Sequence, residues 1–201
     1  MALKTLFTCF LFSLYLSSPF LIPINMGDRK DISQIQLTEI GKFGLIRKER
    51  KMIPSHLHTG IDIKRPGKNY INEPIFVIAS GKIISKRTDG PFAQLIVEHH
   101  IGNTVFWSVY EHIAGIVANL NETVYPDKPV ARFMNKMELD KYGWQFDHFH
   151  LEILKLKPEK IKPDKFHPER FYNSFTLICY KATDLEKYYF NPIHFLKENL
   201  H

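Results

Sequence analysis

Cysteine is almost missing from this 201-residue chain. Cys9 sits in the N-terminal apolar run and Cys179 stands alone beyond it, which excludes an internal disulfide in a processed chain. An exported protein without that crosslink depends on a good core or on a bound metal. Internal repeats and low-complexity tracts are also missing, so a repeat architecture is excluded. From Ile75 onward no long 3.6-residue apolar period appears, which argues against a helical domain. There is no HExxH, so no glutamate base is built in beside a pair of ligand histidines. Basic residues give a net charge of +6, but they are scattered apart from "RKERK" at 47–51. A positive balance favours anionic partners, yet without a basic stripe no nucleic-acid binding is expected.

What is present begins with the N-terminus. "MALK" supplies one positive charge, and "TLFTCFLFSLYLSSPFLI" follows as an uncharged, mostly apolar run. That is the pattern of a secretory signal, or of a retained anchor, since the run approaches the ~20 residues that span a bilayer. Residues 1–24 are therefore read as signal peptide or membrane anchor, and the protein as exported, periplasmic or cell-envelope associated. Apolar content of 44% with 13% aromatics fits one globular core in the rest.

"IFVIAS", "KIISK", "AQLIVEHH", "NTVFWSVYEH", "IVANL", "PVARFM" and "FHLEILK" are short runs rich in Val, Ile and Phe, separated by turn signals such as "TDGPF" and "YPDK". The expected fold is all-β, a mainly antiparallel sandwich or folded sheet with a groove and few short helices. Residues 25–45 read as a lead-in, with "DISQIQLTEIGKFG" supplying a strand or one helical turn. The main domain is placed at 46–199. Within it, about 155–190 is an insertion, a lid or an elaboration, opening on the basic stretch "KLKPEKIKPDKFHPERFYNS". "FTLICY" is expected to add a strand and "NPIHFLKENL" a closing helix.

Ten histidines are the main chemical feature. In "SHLHTGIDIK", His58 and Asp62 are four apart, and either strand or helix geometry lets both reach one ion. Gly60 allows close backbone approach, while Ile61 and Ile63 point to the core. In "FDHFHLEI", His148 and His150 share one strand face about 6.5–7 Å apart, with Phe149, Leu151 and Ile153 on the other. That spacing suits one histidine on a metal and the other beside a metal-bound water. "VFWSVYEHI" ends an apolar strand on His112, an edge residue or a base at a cleft rim. Each motif alone is weak, and the bland reading of each is a polar loop or exposed strand face. Together they meet the catalytic-zinc pattern of three protein ligands and an open position: His58, Asp62 and a third histidine, His150. His148 and His112 are then left for proton handling and transition-state stabilisation.

The chain resembles the lysostaphin-type (LytM-like) zinc endopeptidases. The resemblance rests on "HTGID" at 58–62, "VYEHI" at 109–113 and "HFH" at 148–150, in that order, with support from "PIFVIASGKIIS", "QLIVEHHIGNTVFWSVYEH", "NPIHFL" and the lead-in "FGLIRKERKMIPSHLHTGIDIK". It implies Zn2+ held by His58, Asp62 and His150, with His112 and His148 as catalytic histidines. The implied reaction is hydrolysis of peptide bonds in bacterial peptidoglycan, in the stem peptide or cross-bridge, by an expected monomer. His56 is expected in a supporting or solvent-facing place. The sequence departs from the family where "WQFDHFH" replaces Gly-Pro-His-Leu-His, where "MNKMELDKYGW" replaces a glycine-bearing turn, where "NETVYPDKPVARF" lacks two hairpin glycines, and in the insertion. These positions surround the expected groove and bear on cleavage specificity. Two other readings compete. One is a non-catalytic member that binds wall or regulates another hydrolase. The other is a sugar-transport phosphocarrier, against which the export signal and Asp62 count.

Overall fold

A computed structural model describes residues 20–51, 53–88, 90–174 and 179–200. Thirteen strands run along these residues. The first seven are β1 (Ile46–Arg47), β2 (His56–Leu57), β3 (Ile61–Lys64), β4 (Pro74–Phe76), β5 (Gly81–Arg87), β6 (Gln94–Ile101) and β7 (Thr104–Glu111). They are followed by β8 (Thr123–Val124), β9 (Pro129–Arg132), β10 (His148–Leu154), β11 (Glu159–Lys160), β12 (Tyr172–Asn173) and β13 (Tyr189–Phe190). Three short helices complete the set: α1 (Lys136–Tyr142), α2 (Ala182–Tyr188) and α3 (Pro192–Asn199). The all-β, antiparallel expectation holds.

The main sheet runs β13-β10-β7-β6-β5-β8, with β3 also paired to β10. Period-2 alternation decides which residues face which layer. Leu95 and Val97 of β6, Phe106 and Tyr110 of β7, and Phe149, Leu151 and Ile153 of β10 enter one apolar core. Ile96, Trp107, Val109 and Leu154 point the opposite way, into a second cluster with Cys179, Leu185 and Tyr189. Among the described residues of 155–190, Tyr172, Cys179, Leu185 and Tyr189 thus pack over that second face. Ser85 accepts from the backbone of Phe171 and Tyr172, Lys86 pairs with Glu169, and Lys157 with Glu98.

Several local expectations change. "IVANL" is not a strand. Gly115 at φ +53 breaks the extended path, Glu122 captures the Asn119 amide, and the segment only touches β9 at single points. "IFVIAS" is extended only as far as Phe76. "MNKMELDKYGW" contains a helix, whose Asn135 and Glu138 form a reciprocal capping box. "DISQIQ" gives one 3-10 turn, and "NPIHFLKENL" is the helix expected, capped by Asn191. Most of "FTLICY" lies outside the described residues.

The expected signal or anchor, 1–24, falls mainly outside the described residues. Its last part is packed into the fold. Phe20, Ile22 and Ile24 are buried, with the Phe20 ring against Phe106 and Phe195. The Leu21 amide donates to Ile78, and Ile24 bridges Ile75. Among the described residues no helix is long and apolar enough to cross a membrane.

Candidate functional site

The site lies on the second face of the sheet, beyond the end covered by 155–190. Ile61 and Ile63 are core residues, so Asp62 between them faces away from the core; Phe149 and Leu151 do the same for His150. The antiparallel register sets His150 opposite Asp62 on one side and opposite Glu111 on the other. His58 reaches the same point from the turn before β3. Gly60 permits the crossing: a Cβ there would fall on the Leu151 carbonyl oxygen and 2.8 Å from His150 Cε1. Gly60→Ala is expected to push β3 and β10 apart and to cost several kcal/mol, about the size of a severe core defect. A thermal melt checks this; a melt unchanged from wild type would contradict the close packing.

The structure brings His58, Asp62 and His150 together, all buried. Asp62 Oδ1 lies 3.1 Å from His58 Nε2 and 2.9 Å from His150 Nδ1, and those two nitrogens are 3.0 Å apart. The outer atom of each is tied down. His58 Nδ1–H donates to the Lys42 carbonyl, Arg47 donates to Asp62 Oδ2, and His150 Nε2–H donates to Glu152 Oε1. Those partners fix the tautomers, because a carbonyl or carboxylate only accepts.

The electrostatics follow. Burial would raise Asp62, but the hydrogen bond and charge of His150 beside it outweigh that and hold its carboxyl far below the usual range. Burial lowers His58, so Nε2 keeps its lone pair. Burial works against a charged His150 too, yet its hydrogen bonds to Asp62 and Glu152 hold it up at about 10. Three ligand atoms therefore face one another and share a single proton, on His150 Nδ1. Such a cluster has one cation fewer than its geometry suits. Tetrahedral zinc with bonds of about 2.0–2.1 Å sets ligand atoms roughly 3.3 Å apart, so an expansion of a few tenths of an ångström seats the ion. The donor set fits zinc.

The two remaining histidines line up beside this trio. His148 Nε2 is 3.7 Å from Asp62 Oδ1, and its ring is 5.2 Å from that of His112. Burial pushes His148 down to about 4 and also lowers His112, so both rings are neutral at pH 7. His112, just past β7, has a positive φ of 61°, a strained conformation for a non-glycine residue. Its Nδ1–H donates to the Pro91 carbonyl at 2.6 Å, which leaves Nε2 free to accept. His148 is steadied from the side by its neighbour. Arg65 donates to Asp147 Oδ1 and to the Asn69 and Met134 carbonyls, which ties down the residue just before His148.

Some residues were not singled out from the sequence. Arg47 and Glu152 join the trio from behind, and Thr59 donates to Glu152. Glu152 had a signal, since it is the next same-face position after His150. His56 is buried rather than solvent-facing, and its ring bonds to Pro54 in its own hairpin. His99 is a core residue, held by the Ser80 carbonyl and the Ser108 hydroxyl.

Solved structures of known proteins share this architecture. The antimicrobial peptidase lysostaphin from Staphylococcus simulans matches with TM-score 0.52 at 14% identity, over 92% of this chain and 56% of that one. A solution structure of lysostaphin matches with TM-score 0.50 at 16% identity, over 84% and 52%. The fold is the lysostaphin-type peptidase fold. The chain spans about half the length of these lysostaphin chains. A chain of the SpoIIIAH and SpoIIQ complex also matches, with TM-score 0.47 at 17% identity over 68% of this chain and 92% of that one. No family model and no curated protein matches the sequence. At these identities the lysostaphin-type likeness concerns the fold, and the chemistry has to be argued from the side chains themselves.

Proposed function

We propose that the chain is an exported zinc-dependent endopeptidase that hydrolyses peptide bonds of bacterial peptidoglycan. The observation that carries this is the convergence of His58 Nε2, Asp62 Oδ1 and His150 Nδ1 within 3.1 Å, with two neutral histidines alongside. His58, Asp62 and His150 would hold the ion, and His112 and His148 would handle protons. Bound zinc supplies Lewis acidity, which acidifies a water and polarises a substrate carbonyl. His148, neutral and next to the ligand set, takes the proton of the attacking water. His112, with Nδ1–H committed to Pro91, offers only Nε2 to the substrate and stabilises charge there. If a leader is removed, its cut lies before Phe20, because the segment from Phe20 to Ile24 belongs to the core.

The test is release of soluble fragments from purified peptidoglycan. Activity lost to a chelator and restored by zinc supports the proposal. Tight sedimentation with the wall, zinc in place and no fragments released, would favour a non-catalytic wall-binding protein instead.

A pH dependence follows from the shared proton. Asp62 is already ionised and His58 already neutral, so loading zinc displaces the one proton on His150 Nδ1. Zinc affinity is expected to rise about tenfold per pH unit between about pH 7 and 9. Competition titrations across that range check it, and a flat affinity would contradict it. The sign for stability is the reverse. The metal-free fold has the His150 contribution in full below about pH 6.5 and loses it as the pH climbs through about 10.

A further inference from the structure

We infer that Glu152 is a positioning residue for the metal: it holds His150 so that Nδ1, not Nε2, faces Asp62 and His58. The inference rests on the zinc reading above and adds a residue to it. Glu152 is completely buried (0% exposed) on the strand that carries His148 and His150. Its Oε1 accepts from His150 Nε2 at 3.1 Å and from the Thr59 hydroxyl. Thr59 is itself buried, between His58 and Gly60, so one carboxylate oxygen joins the two segments that supply all three ligands.

The energetics argue that this is more than packing. A buried carboxylate is costly to keep in a fold, and an apolar side chain of similar size would fill the same space without that cost. What an apolar residue could not do is accept from Nε2. Without an acceptor there, the neutral ring is free to carry its proton on Nδ1, which blocks the atom turned towards Asp62. A carboxylate behind a ligand imidazole also makes it a better donor to the metal.

The experiment uses the full chain, zinc and cobalt. Zinc affinity is measured by competition with a chromophoric chelator in wild type, Glu152→Leu and Thr59→Val. Visible spectra of the Co2+ forms report coordination, and melts of the metal-free proteins report folding. Glu152→Leu, which fills the space but offers no acceptor, is expected to bind zinc about 10–100-fold more weakly, with an altered Co2+ spectrum, while Thr59→Val loses less. In the zinc-loaded wild type, NMR of the His150 ring is expected to find an Nε2 proton shifted far downfield and slow to exchange with water, as a proton held by a buried carboxylate is. That measurement decides the matter even if the variants fail to fold. Zinc affinity and Co2+ spectrum unchanged in Glu152→Leu, or a His150 Nε2 proton that exchanges freely with water, would overturn this inference and leave the zinc site standing. A wild-type chain that binds no zinc would overturn both.

Discussion

Alanine at His150 is expected to remove zinc and turnover together, whereas alanine at His148 removes turnover and leaves the metal in place. The two side chains are one residue apart on the same face of β10, yet they occupy different shells. His150 Nδ1 lies 2.9 Å from Asp62 Oδ1 and 3.0 Å from His58 Nε2, while His148 Nε2 is 3.7 Å from that same oxygen. Dialysed His150→Ala is expected to fall from about one zinc per chain to none, because two ligands do not make the three-ligand site. His148→Ala is expected to keep its zinc and slow fragment release by about 10²–10⁴-fold, the usual worth of a positioned acid or base. His112→Ala belongs in the same class. Metal analysis beside a rate assay separates the roles, and zinc lost equally from both strand variants would show that the sorting is wrong.

The second large effect concerns the start of the domain. A chain that begins at Asn25 is expected not to fold, and one that begins at Pro19 is expected to fold. Phe20, Ile22 and Ile24 are buried against the main core. Burying each is worth about 1.5–3 kcal/mol, against a total stability of about 5–15 kcal/mol for a typical domain. Backbone bonds add to this, with Leu21 donating to Ile78 and Phe76 donating to Pro23. Circular dichroism and a thermal melt of the two truncations check it. A cooperative melt of the shorter chain, matching that of the longer, would contradict the placement.

That boundary also marks where sequence reading stops. The apolar run from Thr5 to Ile22 is continuous, so hydropathy cannot say where an export signal ends and core begins. The strands β5, β6, β7 and β10 were legible because alternation and turn residues agree there. "IVANL" was misleading because its apolar residues serve a loop against β9, a matter of tertiary contact. α1 was not foreseen, because its seven residues are too few to register as a helical period. At the site, the pairing of "HTGID" with "DHFH" was visible, and the register of β3 on β10 brings those residues face to face. Glu152 was passed over because an acidic residue on a strand normally lies on a wet face. Here the face is covered, by residues whose packing no local pattern reveals. Arg47 lay inside the Phe-Gly…Arg lead-in, but its partner was hidden, since it meets Asp62 only through the β1–β2 hairpin.

The most direct test of the central claim is mass spectrometry of peptidoglycan fragments after incubation with the zinc-loaded protein, with and without chelator. The account predicts fragments with new peptide termini that appear only when zinc is present and vanish in His148→Ala. Fragments released equally by the chelated protein would contradict it.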